Sequence, residues 1–226
     1  MGADPVVAAG IGVRRGRGFA IRAASFRIGP PEPGTTALGI LIDHPAQSAV
    51  LVDLLAGVAR PAYGELRVLG HDMATIRGRA AVRRRVGVAR RNSRPLPAMR
   101  IRKLVEHAAR LAGPGRHDRH ALAAAILDRL SLLPWAEVPL RAAPDAIVRR
   151  TRLAAAAVHQ PELLLLDGLL DGLPLRDATA LAAAIRDLSR DSGILVAGCD
   201  GGALDLACGE VLVLTDGVLV SAPSLR

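Results

Sequence analysis

An α/β fold built around a parallel sheet is predicted for this chain of 226 residues, and three features carry the prediction. Two short segments, Leu163–Leu166 and Ile194–Ala197, are wholly apolar. Strands covered on both faces read this way. β-type patterning fills the first part of the chain, helical patterning the middle, and a β-α-β succession the end. No repeat or low-complexity linker divides the chain, and its length suits one domain, 1–226, with a helical subdomain at about 92–142.

The elements follow in order. Strands are expected at Val6–Val13, Phe19–Ile28 and Thr36–Ile42. A helix is expected at about Ala46–Gly57, where Gly57 stops it and Pro61 lies just beyond. A strand at Glu65–Leu69, a basic stretch and a short strand at Val86–Ala89 come next. Asn92 to Ala98 reads as a loop with two prolines. Helices are then expected at Ile101–Ala112, Arg119–Leu132 and about Ala146–His159. After the strand Leu163–Leu166 come a helix at about Leu175–Arg190, the strand Ile194–Ala197 and a short helix near Ala203–Cys208. Two strands, Val211–Thr215 and Val218–Ser221, close the pattern.

Composition narrows the function classes. Half of the residues are hydrophobic, enough for a sizeable core. No apolar run reaches the roughly 18–20 residues of a membrane span. Met1 to Ala20 does not read as a secretory signal, because the apolar run Pro5–Val13 is short and its arginines follow it. A cytoplasmic location, or a peripheral one on the inner face of the cell membrane, is therefore expected. Cys199 and Cys208 match no zinc or CxxC spacing and read as plain thiols. The formal charge is +9. A basic chain suits nucleic acid or an anionic surface, yet the excess arginine accompanies abundant Ala, Gly and Pro and reads as compositional. Aromatics are scarce (Phe19, Phe26, Tyr63 and Trp135), too few for a base-stacking platform.

Three stretches carry a family resemblance. The first is Leu54-Leu55-Ala56-Gly57, Pro61 and the run Gly64 to Asp72. The second is Pro161-Glu162-Leu163-Leu164-Leu165-Leu166-Asp167, followed by Asp171-Gly172-Leu173. The third is the Asp216-Gly217 turn between two apolar strands. In order and spacing, over about Val6 to Ser221, they resemble the ATP-binding domains of the ABC transporter family. The resemblance implies an ABC-type P-loop NTPase fold, with a mixed sheet, an N-terminal antiparallel β part and a helical subdomain.

That family holds triphosphate with G-x-x-x-x-G-K-[ST] between a strand and a helix. The glycines admit backbone amides to the phosphates, the lysine neutralises them and the hydroxyl ligates Mg²⁺. By the resemblance, the loop falls on Ile42 to Val50. Ile42 and Gln47 stand where the glycines belong, Ser48 replaces the lysine and Ala49 replaces the hydroxyl residue. Lys103 is the only lysine in the chain and follows no glycine loop, so no register supplies the missing one. Asp43 or His44 can cap the helix, with Pro45 in its first turn. Asp43 adds negative charge near the phosphate position, and Pro45 removes an N–H donor. A bare helix N-terminus still attracts anions. A lost ammonium and a gained carboxylate outweigh it, at roughly 4 kcal/mol per close charge pair near a surface.

The resemblance assigns Asp167 as the retained Walker B aspartate, the single candidate metal ligand. Gly168 follows it where the catalytic glutamate belongs, and Asp171 matches the ordinary Asp-Gly-Leu. The signature motif falls on Ala143-Pro144-Asp145-Ala146-Ile147, without its serine and glycines. Asp145 is expected to cap a helix starting near Ala146. Arg91 stands at the Q-loop glutamine, Cys199 at the switch histidine, Arg15 at the adenine-stacking aromatic and Pro174 at the D-loop aspartate. Phe19 reads as core. His117 and His120 read as solvated, with no third ligand in view. Arg83-Arg84-Arg85, Arg90, Arg91 and Arg94 read as a solvated basic face.

The expectation is a degenerate ABC transporter ATP-binding subunit that does not hydrolyse ATP, with no catalytic residues and no cofactor. It would play a structural or regulatory part beside a membrane-spanning transporter subunit, docking through the helical middle and Arg91–Arg102. It would pair with itself or with another ATP-binding domain. Two alternatives stand beside it: a weak or partner-dependent ATPase subunit that uses ATP and Mg²⁺, and a basic nucleic-acid-binding protein.

Overall fold

The computed structural model describes residues 4–15, 18–31, 36–92, 97–113 and 116–221. Arg94 lies outside these residues, as do the side chains of Arg15, Phe19 and His117.

The first half supplies an antiparallel group of strands. β1 (Val6–Arg15) pairs on one side with β2 (Gly18–Ile28) and on the other with β4 (Tyr63–Val68), which carries the two-residue β5 (His71–Asp72). The parallel group comprises β3 (Ala37–Ile42), β6 (Val86–Arg90), β7 (Leu163–Asp167), β8 (Gly193–Gly198) and β9 (Cys208–Thr215). β10 (Val218–Ser221) returns antiparallel to β9 and touches β2 through Val218 and Ala23. The strands form one mixed sheet in the order β5-β4-β1-β2-β10-β9-β3-β8-β7-β6.

The apolar strands have a direct packing explanation. Side chains alternate across a strand, so β7 divides its leucines between two cores. Leu163 and Leu165 face the inner core with Ile40, Ile42, Leu51 and Leu55, whereas Leu164 and Leu166 face the helical core with Ile185 and Leu153. β8 divides in the same way: Leu195 and Ala197 point inward, Ile194 and Val196 outward. All four β7 leucines are fully buried. Each contributes roughly 1.5–3 kcal/mol of hydrophobic stabilisation relative to exposure.

The inner core is filled by α1 (Pro45–Leu55). It starts where His44, extended at φ −133°, accepts the Ala46 N–H on Nδ1, and Pro45 occupies the first helical position. It ends at Leu55 with Ala56 as its C-cap, and Gly57 follows at a φ of +73° that suits glycine. The Arg83 guanidinium donates to the Gly57 carbonyl at 2.9 and 3.1 Å. Those bonds satisfy a carbonyl that the helix end leaves bare.

The outer core is helical. α3 (Ile101–Ala112) and α4 (Arg116–Arg129) pack with α5 (Asp145–Ala157) at the far end of the sheet. α6 (Leu175–Leu188) and α7 (Gly201–Ala207) cover its middle. The stretch read only as basic contains a short helix, α2 (Ile76–Val82), started by Thr75 Oγ1 accepting the Gly78 N–H at 3.0 Å. Its arginines masked the apolar period.

Candidate functional site

The ends of four parallel strands build the site. Register aligns Leu41 with Gly198, Ala197 with Asp167, and Asp167 with Arg90, so β3, β8, β7 and β6 finish in one row. A crevice of about 320 Å³ opens beyond that row, and its lining includes Pro45, Ser48, Ala49, Arg91, Asp167 and Cys199. In open α/β sheets, ligands bind in this place, outside the carboxyl ends of the strands.

Ser48 and Asp167 meet at its centre. Ser48 lies one turn into α1 and is 2% exposed. Its hydroxyl donates to Asp167 Oδ1. Burial raises the Asp167 pKa above the ordinary carboxylate value. The Ser48 hydrogen bond and the Arg90 charge oppose that rise, while Asp171 and Asp53 add to it. Arg90 is itself bound to Asp53 at 2.5 Å.

The remaining expected positions divide. Pro45, Ser48, Ala49 and Asp167 line the crevice, whereas Asp43, His44 and Gln47 are not among its lining residues. Asp43 is exposed, and its charge is felt at Cys199. His44 is spent on capping α1. Gln47 reaches the other way, donating from Nε2 to the Ala20 carbonyl at 3.3 Å. Ala49 offers only a methyl group. Gly168 stands in the left-handed region at φ +65°, where a side chain would be strained and its Cβ would lie 3.2 Å from Asp171 Oδ2. Among the described residues no group of three or more His, Cys, Asp or Glu side chains is placed to hold a metal ion.

Several side-chain readings are corrected. Pro144, not Asp145, is the residue before α5, and no side chain caps that helix. Asp145 is the first helical residue, and its carboxylate turns back to Arg149 at 2.5 Å. His120 is exposed as expected, with its Nδ1 3.1 Å from Glu106 Oε1. The arginine run is mostly engaged: Arg83 binds Gly57, Arg85 chelates Glu162 at 2.5 and 2.7 Å, and Arg90 binds Asp53. Charge-assisted forks of this kind are the strong hydrogen bonds of a fold.

Sequence reasoning missed two contributors. Asp171 turns its carboxylate onto the end of β8, where Oδ1 accepts the Cys199 N–H at 2.9 Å. Arg149, 2% exposed and donating to the Leu169 and Asp171 carbonyls, was visible in the sequence only as the fourth residue after Asp145 on an expected helix. The Cys199 thiol has its pKa raised by partial burial and by Asp171, Asp167 and Asp43, with Arg91 acting against them.

Comparison with known proteins shows the family and the fold. The sequence model described as ABC transporter matches residues 49–170, more than half of the chain. The Methionine import ATP-binding protein MetN 2 of Burkholderia mallei is 28% identical over 160 residues, covering 70% of this chain and 40% of that protein. The Daunorubicin resistance ATP-binding protein DrrA3 of Streptomyces coeruleorubidus is 30% identical over 153 residues, covering 68% and 48%. The chain thus spans less than half the length of these relatives. Among solved structures, cbiO1 from Clostridium perfringens, part of the ABC transporter complex cbiONQ, superposes with a TM-score of 0.83 at 16% identity, over 96% of this chain and 87% of that one. A nucleotide-free ATP-binding cassette from an ABC transporter gives 0.81 at 12% identity, over 97% and 90%. The fold is that of ABC ATP-binding domains, a P-loop NTPase fold, and the chain belongs to the ABC transporter family.

Proposed function

We propose that this chain is a non-hydrolysing ATP-binding-type subunit of an ABC transporter system, structural or regulatory in role, working beside a membrane-spanning partner and paired with itself or another ATP-binding domain. The observation that carries the proposal is the hydrogen bond from Ser48 to Asp167. The position that should carry a phosphate-binding ammonium carries a short hydroxyl, and that hydroxyl is committed to the carboxylate that should serve the metal.

The donor set fits Mg-triphosphate poorly. Phosphate needs close amides and a cation. Here Pro45 has no N–H, and the one lysine, Lys103, sits on α3 against Glu106 at 2.8 Å. The hydroxyl ligand for Mg²⁺ is absent at Ala49, and no acid follows Asp167 to orient a water. With the signature position also altered at Ala143–Ile147, this chain has little to lend a partner's site either.

The second reading, a weak or partner-dependent ATPase, rests on the retained Asp167 at the end of β7. One assay separates the two. Phosphate release from MgATP is measured for the full chain purified alone and for the tagged chain drawn from solubilised membranes with its bound partners. The proposal expects background release that Asp167→Asn does not alter. Turnover at about 1 s⁻¹ that is lost on Asp167→Asn would establish the ATPase reading. The nucleic-acid reading finds no support at Arg83, Arg85 and Arg90, which are engaged within the chain. The face proposed for the membrane partner is the helical region 92–142 with the segment Arg91–Arg102.

A further inference from the structure

We infer that Arg149 is a positioning residue that fastens the loop after β7, one wall of the crevice, to the head of α5. The inference concerns packing alone and stands whether or not the crevice hydrolyses ATP.

Arg149 is an arginine only 2% exposed, deep in a helix. A buried guanidinium requires partners for its donors. Nε and Nη2 meet Asp145 Oδ2 at 2.8 and 2.5 Å, and Nη1 donates to the carbonyls of Leu169 at 3.1 Å and Asp171 at 2.6 Å. The charge thus spans the start of α5 and the loop 168–172. The loop continues the connection, because Asp171 Oδ1 accepts the Cys199 N–H at 2.9 Å. Asp145, Arg149, Asp171 and Cys199 therefore join the head of α5 to two segments that line the crevice, the β7–α6 loop and the tip of β8.

The middle of the loop is anchored by Leu169 and Leu170, buried in the helical core, and its start by the Gly168 N–H donating to the Ala197 carbonyl at 2.8 Å, whereas its polar turn relies on Arg149. Gly168 and Gly172 both take positive φ, at +65° each. Glycine-rich backbone loses the most conformational freedom on ordering. Two carbonyls fastened to one buried cation add a polar tie to that apolar anchoring and fix the turn between the two glycines. Lysine could not reproduce the fork, because its ammonium is a compact point charge.

The test is amide hydrogen exchange on the full chain, without nucleotide, comparing wild type with Arg149→Met. Methionine keeps the apolar volume but donates nothing. The expected result is exchange about tenfold or more faster in peptides covering 168–173 and 199–201, with β7 and β8 amides still protected. Unchanged exchange in 168–173 in a folded Arg149→Met variant overturns the inference. If that variant does not fold, Arg149→Lys is read in its place: faster loop exchange supports the role, and wild-type exchange overturns it.

Discussion

The Ser48 hydroxyl and the Asp167 carboxylate, 119 residues apart in sequence, are hydrogen-bonded across the mouth of the sheet. Both line the crevice at the carboxyl ends of the parallel strands. Here the two satisfy each other. A buried carboxylate without a donor is costly, and Ser48 offsets part of that cost.

This arrangement fixes a pH dependence. The raised pKa of Asp167 means that the folded protein holds this proton more tightly than the unfolded chain. Its contribution to stability is therefore full below the unfolded carboxylate value. It declines as pH rises through the raised folded value. Asp167→Asn keeps the shape and an acceptor for Ser48 while removing the charge. Thermal melts should show the variant more stable than wild type at pH 8, with the gap closing toward pH 4. A less stable variant at pH 8 would mean that the carboxylate is wanted ionised.

Rebuilding the loop separates binding from chemistry. Gln47→Gly with Ser48→Lys and Ala49→Ser restores the cation, the hydroxyl and room for the phosphates. The triple variant should bind MgATP at least about tenfold more tightly than wild type, a gain of ~1.4 kcal/mol. Phosphate release should stay at background, because Gly168 supplies no base. Adding Gly168→Glu should cost about 1–2 kcal/mol of stability, since the residue sits at φ +65°. Turnover by the triple variant alone would show that the crevice keeps a base other than a residue at position 168.

The two thiols should differ. Cys208 is pushed up to about 12 by burial, with Asp205 adding to the effect. Cys199 is exposed, with a smaller rise. Ellman's reagent at pH 8 should label one thiol in the native protein, Cys199, and the second only after denaturation. Asp171→Asn removes a neighbouring negative charge and should speed that labelling several-fold through a larger thiolate fraction. Equal rates with and without Asp171 would show that its charge does not reach the sulfur.

Most of the fold was legible because burial on two faces leaves a strong mark. Leu163–Leu166 and Ile194–Ala197 had no other reading, and both fall within observed strands. The end of α1 followed from Gly57, whose Cβ would come within 2.8 Å of the Arg79 carbonyl. The helix Ile76–Val82 was missed because only Gly78 and Val82 are buried there. At the site, position was readable and partnership was not. Counting from Gly57 and Pro161 singled out Ser48 and Asp167, which the fold brings to one crevice, yet nothing in the sequence tells that they touch. Arg149 was hidden for the same reason: a charged residue on a helix reads as solvated until its tertiary partners are seen.

The central claim is tested most directly by calorimetric titration of MgATP into the purified full chain, with Asp167→Ala as control. The account predicts no saturable heat at nucleotide concentrations below about 1 mM, for wild type and control alike. A saturable isotherm with a micromolar Kd that Asp167→Ala abolishes would contradict it.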